Sequence, residues 1–125
     1  MLLMAMLLSV SDTEQGPAQK IEKLNVPSEV YWAAYRASGA KLCDQTLRLN
    51  QERLFNKRFG TRVSTLISVI MAKQDGRSQG DSLIVTSDCL AYSNRRSAAK
   101  ALSRALDDFG PTLGGMERRY GITSP

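Results

Sequence analysis

Apolar residues recur at helical spacing along most of this chain, and the longest regular pattern lies between residues 88 and 109. There Ala91, Ala98, Leu102, Ala105 and Phe109, with Leu106 beside them, fall on one stripe. The opposite side carries Arg96, Lys100 and Arg104, which recur every four residues and line up as a basic ridge next to Arg95. The pattern predicts a helix running from just after Asn94 to Phe109, with Gly110 and Pro111 ending it. A second stripe, Val63, Leu66, Ile67 and Ile70, has the spacing i, i+3, i+4, i+7. Gly60 reads as the stop of a preceding helix and Thr61 as a new N-cap, while Lys73 and Gly76 mark the far end. The alternation of Val63, Thr65, Ile67, Val69 and Met71 also fits a strand, but the capping signals favour a helix.

Ahead of these, Ser28 reads as an N-cap and Glu29 places a negative charge in the first turn. The helix that follows extends toward Phe59. It runs either continuously or in two pieces broken near Ser38 and Gly39. Val30, Ala34 and Ala37 share one face, whereas Leu42, Cys43, Thr46, Leu47 and Leu54 share another farther along, and this change of face favours a kink at Gly39. In the tail, Leu113, Met116 and Tyr120 are helically spaced and Gly121 is a stop. Gly114 and Gly115 each cost roughly 1 kcal/mol relative to alanine, which predicts a short, weak helix. Residues 75–82 are a loop by their Gly, Ser and Asp content. Residues 83–86 (LIVT) read equally as a short strand or as a first helical turn. The expected fold is therefore all-α: a small single-domain bundle of about four helices over 28–125, with a short strand at 83–86 as the one open exception.

The N-terminal segment is different. MLLMAMLLSV is an apolar run of about ten residues, half of the roughly 20 needed to cross a bilayer. Its length suits the hydrophobic part of a secretory signal, with small residues at Ser9 and Ser11 where a signal peptidase reads. The first cation is Lys20. Residues 1–11 are thus expected to be a signal-peptide hydrophobic region; the alternative is an apolar segment packed on the domain. Residues 12–27 are polar, contain Gly16 and two prolines, and read as a linker anchored by Ile21, Leu24 and Val26.

Composition narrows the function classes. The chain has 125 residues, 42% apolar and 23% charged, as expected of a folded domain with one core. Seventeen Lys and Arg against twelve Asp and Glu give a net charge of +5, and with no histidine that charge hardly changes between pH 5 and 8. A basic balance favours acidic partners: nucleic acid, anionic lipid headgroups or an acidic protein surface.

Cys43 and Cys89 are the chain's two cysteines. Beside a candidate export signal they read as a disulfide, which the chain-entropy model values at about 4 kcal/mol for a loop of this length. Two buried thiols or a redox switch are the alternatives. Two thiolates without histidine do not make a zinc set, so no metal is expected. Catalysis is also not expected. Without histidine there is no Ser-His or Cys-His nucleophile, and the adjacent Asp107 and Asp108 point in different directions on a helix. Asp108, four residues from Arg104, reads instead as half of a surface ion pair. Gly114 and Gly115 lack the lysine of a phosphate-binding loop, and no cofactor is implied.

What remains are binding surfaces. One is the ridge Arg95, Arg96, Lys100 and Arg104; another is the cluster Arg48, Arg53, Lys57, Arg58 and Arg62. A disulfide between the two regions would bring them to one side, or each is simply a solvated helix face. Tyr31, Trp32 and Tyr35 form an aromatic patch for core packing or for a partner. These features predict an exported α-helical binding or accessory protein, periplasmic or secreted, that engages an acidic protein partner or the anionic envelope. The alternative is a cytosolic domain that contacts nucleic-acid phosphates through its basic helix faces.

Overall fold

The computed structural model describes residues 16–73 and 89–122. They form four helices: α1 (Pro17–Glu22), α2 (Ser28–Ser38), α3 (Gln45–Lys73) and α4 (Arg95–Arg119). No strand occurs among the described residues, only an isolated parallel bridge between Leu42 and Leu90. The molecule is a small helical domain with one disulfide, Cys43–Cys89. The apolar run at 1–10 and the segments 75–82 and 83–86 lie outside the described residues.

Helix α2 is central and touches each of the other three. Its Val30, Ala34 and Ala37 are buried as their spacing predicts, and Tyr31 and Tyr35 are buried with them. A helix covered on several sides needs a wider apolar surface than a single stripe provides. The stretch read as a linker supplies part of that cover. Pro17 opens α1, where its missing N–H costs nothing, and Ala18, Ile21, Leu24 and Val26 all enter the core.

The helix breaks at Gly39, the two-piece reading, and does not kink there. Gly39 has φ 73°, and its N–H donates to the Tyr35 carbonyl, which also accepts from Ala40 at 3.2 Å. After residues 39–44 a new helix starts, with Asp44 as its cap: Oδ1 accepts from the Leu47 N–H at 3.0 Å. Because α3 restarts the helical phase, the face expected from Leu42, Cys43, Thr46, Leu47 and Leu54 does not form. Leu42 is buried ahead of the helix and Leu47 is half-buried, while Cys43, Thr46 and Leu54 are exposed.

The predicted stops at Gly60 and at Gly110–Pro111 are both absent. Helix α3 continues through Gly60 because Gln51, Phe55, Phe59, Val63, Leu66 and Ile70 form one unbroken buried stripe. A mid-helix glycine costs about 1 kcal/mol, less than the 1.5–3 kcal/mol of a single large apolar side chain kept buried. Helix α4 likewise buries Ala98, Leu102, Leu106, Phe109, Leu113 and Met116 along one face. Pro111 costs about 3 kcal/mol in a helix interior, which burial of both Leu113 and Met116 offsets. The tail is therefore the last turns of α4 and not a separate weak helix. It closes as read from the sequence at Gly121, with φ 72° and an Ile122 N–H donating to the Glu117 carbonyl at 2.8 Å.

Phe55, Phe59 and Phe109 meet where α3 crosses α4, with ring centroids 5.1 to 5.5 Å apart. Nearby, the buried Gln51 amide donates to the carbonyls of Ala37 at 3.0 Å and Leu102 at 3.1 Å, so one side chain joins α2, α3 and α4. Two ion pairs flank the phenylalanines: Arg58–Asp107 at 2.8 Å and the two-pronged Arg62–Glu117 at 3.0 and 2.6 Å.

Candidate functional site

The disulfide sits between loops, outside the helices. Cys43 follows the α2 turn and Cys89 precedes α4; their Cα atoms are 5.0 Å apart and both residues are exposed. Of the two expected placements, at the start or on the apolar side of a helix, neither cysteine takes the second: each lies in the loop ahead of a helix. Backbone bonds extend the tie: Cys43 N–H donates to the Leu90 carbonyl at 2.9 Å, and Leu90 N–H to the Lys41 carbonyl at 2.7 Å. Beneath the bridge, Leu42 packs with Ala98 and Leu102, and Leu47 covers the edge. The covalent bond thus seats the start of α4 against the turn that follows α2.

Beside this bridge a cleft of about 270 Å³ opens between α2 and α4. Helix α2 lines it with Trp32, Tyr35 and Arg36, and α4 with Ala101, Arg104, Ala105 and Asp108. Ala101 and Ala105 share a face of α4, and their short side chains leave the space unfilled. Leu90 and Tyr92 wall the end of the cleft and remain 49% and 37% exposed. A charged residue at each of these positions would be unremarkable, whereas two apolar ones held beside a tryptophan form an exposed apolar patch.

Trp32 is half-buried and lies 5.9 Å from the Tyr31 ring and 5.7 Å from the Tyr35 ring. The Lys41 Nζ sits 5.5 Å from the Trp32 ring centroid, within cation–π range. Tyr35 donates its hydroxyl to Glu22 Oε1 at 3.0 Å. Burial, with the hydrogen bond and negative charge of Glu22, pushes the Tyr35 phenol up to about 12. Tyr35 therefore stays neutral and serves as a wall. Around the mouth stand Arg36, Lys41 and Arg104 against the single carboxylate of Asp108.

The predicted site residues are distributed unevenly. Of the aromatic patch, Tyr31 and Tyr35 belong to the core and Trp32 faces the cleft. Arg95, Arg96, Lys100 and Arg104 are all exposed; Arg104 reaches the cleft, and Arg95 lines a neighbouring depression beside the disulfide. In the α3 cluster, Arg48, Arg53 and Lys57 are exposed, with Arg53 donating to Asn50 on its own helix. Arg58 and Arg62 are committed to α4 through Asp107 and Glu117, and their guanidinium groups lie 5.1 and 5.9 Å from the Phe59 ring. The hydrogen bond with Glu117 raises the Arg62 pKa further above its already high value. Asp107, not Asp108, carries the interhelix ion pair.

Sequence reasoning missed Arg36, Lys41, Leu90 and Tyr92. Arg36 was within reach, since it lies one turn after Trp32 on the same helix face. Lys41 comes to the Trp32 ring through the turn at Gly39, and Leu90 and Tyr92 arrive through the bridge. A second hollow of about 700 Å³ runs along α3 beside α1, but its lining is mainly polar, including Lys20, Glu52, Asn56 and Ser64, with no aromatic ring. Among the described residues no three His, Cys, Asp or Glu side chains group as metal ligands, and no helix is long and apolar enough to cross a membrane. Comparison with known proteins finds no match to a family model, to a curated protein or to a solved structure.

Proposed function

We propose that this is a small exported binding or accessory protein, not an enzyme, that engages an acidic protein partner or the anionic surface of the cell envelope. The observation that carries this reading is the cationic rim of an apolar, tryptophan-bearing cleft, Arg36, Lys41 and Arg104 around Trp32, continuous with the exposed ridge Lys100, Arg96 and Arg95 on α4. An apolar floor supplies affinity, and a rim of three cations against the one carboxylate of Asp108 supplies steering and favours the opposite charge. The disulfide supports an oxidising compartment, where such bonds form and persist. The α3 cluster supports the reading less, because two of its five arginine and lysine side chains hold α4 through carboxylates.

The test is co-sedimentation of the disulfide-intact protein with phosphatidylglycerol vesicles, run beside capture on an immobilised acidic protein, each across a salt series. Binding in at least one arm at low salt, falling steeply as salt rises, is expected. No binding in either arm at low salt overturns the reading. A duplex or single-stranded nucleic acid bound more tightly than both would favour the phosphate-contacting alternative instead.

A further inference from the structure

The cleft has features that narrow its ligand. Its volume of about 270 Å³ lies below the 300–1,000 Å³ usual for sites that enclose a whole small molecule, and it suits one large side chain. Its walls are apolar: Trp32, Leu90, Tyr92 and the two alanines of α4. Its cations come from opposite sides, Arg36 and Lys41 from α2 and the turn after it and Arg104 from α4, and they outnumber the one carboxylate in the lining, Asp108. A lipid headgroup would place its charge at one end of an apolar chain. Charges on both sides of a short apolar pocket instead fit a residue flanked by carboxylates along an extended backbone. Tryptophan, tyrosine and arginine are also the residues most enriched where proteins anchor a partner's side chain.

We propose that the cleft between α2 and α4 is the docking pocket for one large apolar side chain of an acidic peptide segment; this rests on the binding reading above and gives it a place and a ligand class. The apolar side chain enters between Trp32 and the Ala101–Ala105 face, and acidic neighbours on the peptide meet Arg36 and Arg104. Lys41 keeps its place near the Trp32 ring and adds positive potential at the mouth.

Trp32 is the chain's single tryptophan, so its emission reports the cleft directly. The probe is a blocked pentapeptide with a central phenylalanine flanked by two carboxylates on each side, titrated into the disulfide-intact protein. A saturable shift of Trp32 emission is expected, with no response to a peptide of the same centre flanked by lysines. Ala105→Leu fills the pocket without touching a charge and is expected to weaken binding at least tenfold while folding is retained, as read by circular dichroism. Arg36→Glu and Arg104→Glu are each expected to weaken it about fivefold. An unchanged Trp32 signal with the acidic peptide overturns the proposal, as does equal affinity in Ala105→Leu. A shift produced by phosphatidylglycerol vesicles and not by the peptide also overturns it, because the occupant is then a membrane. If the acidic peptide gives no signal, or binds Ala105→Leu as it binds the parent, while the parent still binds anionic vesicles or the acidic protein, the pocket assignment fails and the broader function stands.

Discussion

Replacing Gly39 with alanine tests how the turn that builds the cleft is held. The residue has φ 73°, a region that costs a residue with a side chain about 1–2 kcal/mol. A Cβ added there would also lie 2.8 Å from Gln51 Cβ and 2.9 Å from Gln51 Cγ. Those atoms cannot swing away cheaply. They are the base of the side chain whose amide holds the Ala37 and Leu102 carbonyls, and each of those bonds contributes about 1 kcal/mol. Strain and displacement together predict a loss of about 3–4 kcal/mol. With an m-value of about 1–1.5 kcal/mol/M for a domain of this size, the urea midpoint followed by circular dichroism falls by roughly 2–4 M. Gly39→Asn separates the two causes: asparagine tolerates the backbone angle but keeps the Cβ, so a loss of about 2 kcal/mol should remain. Gly60→Ala is the control. That position is inside α3 with Asn56 Cβ at 3.8 Å as the nearest atom, and alanine there is expected to stabilise by about 0.5–1 kcal/mol. A Gly39→Ala midpoint within about 0.5 M of the parent would refute both the strain and the close approach to Gln51.

Other consequences can be checked separately. Cys43→Ser with Cys89→Ser is expected to cost about 4 kcal/mol in thermal or urea unfolding, and reductant should lower the parent's midpoint but not the double variant's. Arg62→Ala removes both hydrogen bonds to a Glu117 side chain only 5% exposed, and about 3 kcal/mol is expected; Arg58→Ala, in a pair 49% and 64% exposed, should change stability by less than about 1 kcal/mol. Tyr35 has its phenol raised above the unfolded value, so the folded state holds that proton more tightly. Its contribution is complete below pH 10 and is lost as pH rises from 10 toward 12; urea midpoints measured across this window should fall less steeply for Tyr35→Phe than for the parent.

Much of the fold was legible in the chain itself. Helical periodicity located α2, α3 on both sides of Gly60 and the first half of α4, and the paired cysteines implied the covalent tie, because these depend on neighbours in sequence and on composition. Helix ends at Gly60 and Gly110–Pro111 were misread, since a local breaker costs a fixed amount that only a count of buried partners such as Phe59, Val63, Leu113 and Met116 can outweigh. The same limit applies to charge. Arg58 and Arg62 look like any exposed basic pair until Asp107 and Glu117 arrive from a distant helix, and Trp32 looks like Tyr31 until Leu90 and Tyr92 are laid beside it. Sequence alone determined that most of the chain is helical and that two sulfurs can join its segments, but not that Pro17–Glu22 is a helix or that the last helix runs to Arg119. Only the tertiary structure decided which side chains are spent holding helices together and which remain exposed, because that division depends on contacts between residues far apart in the chain.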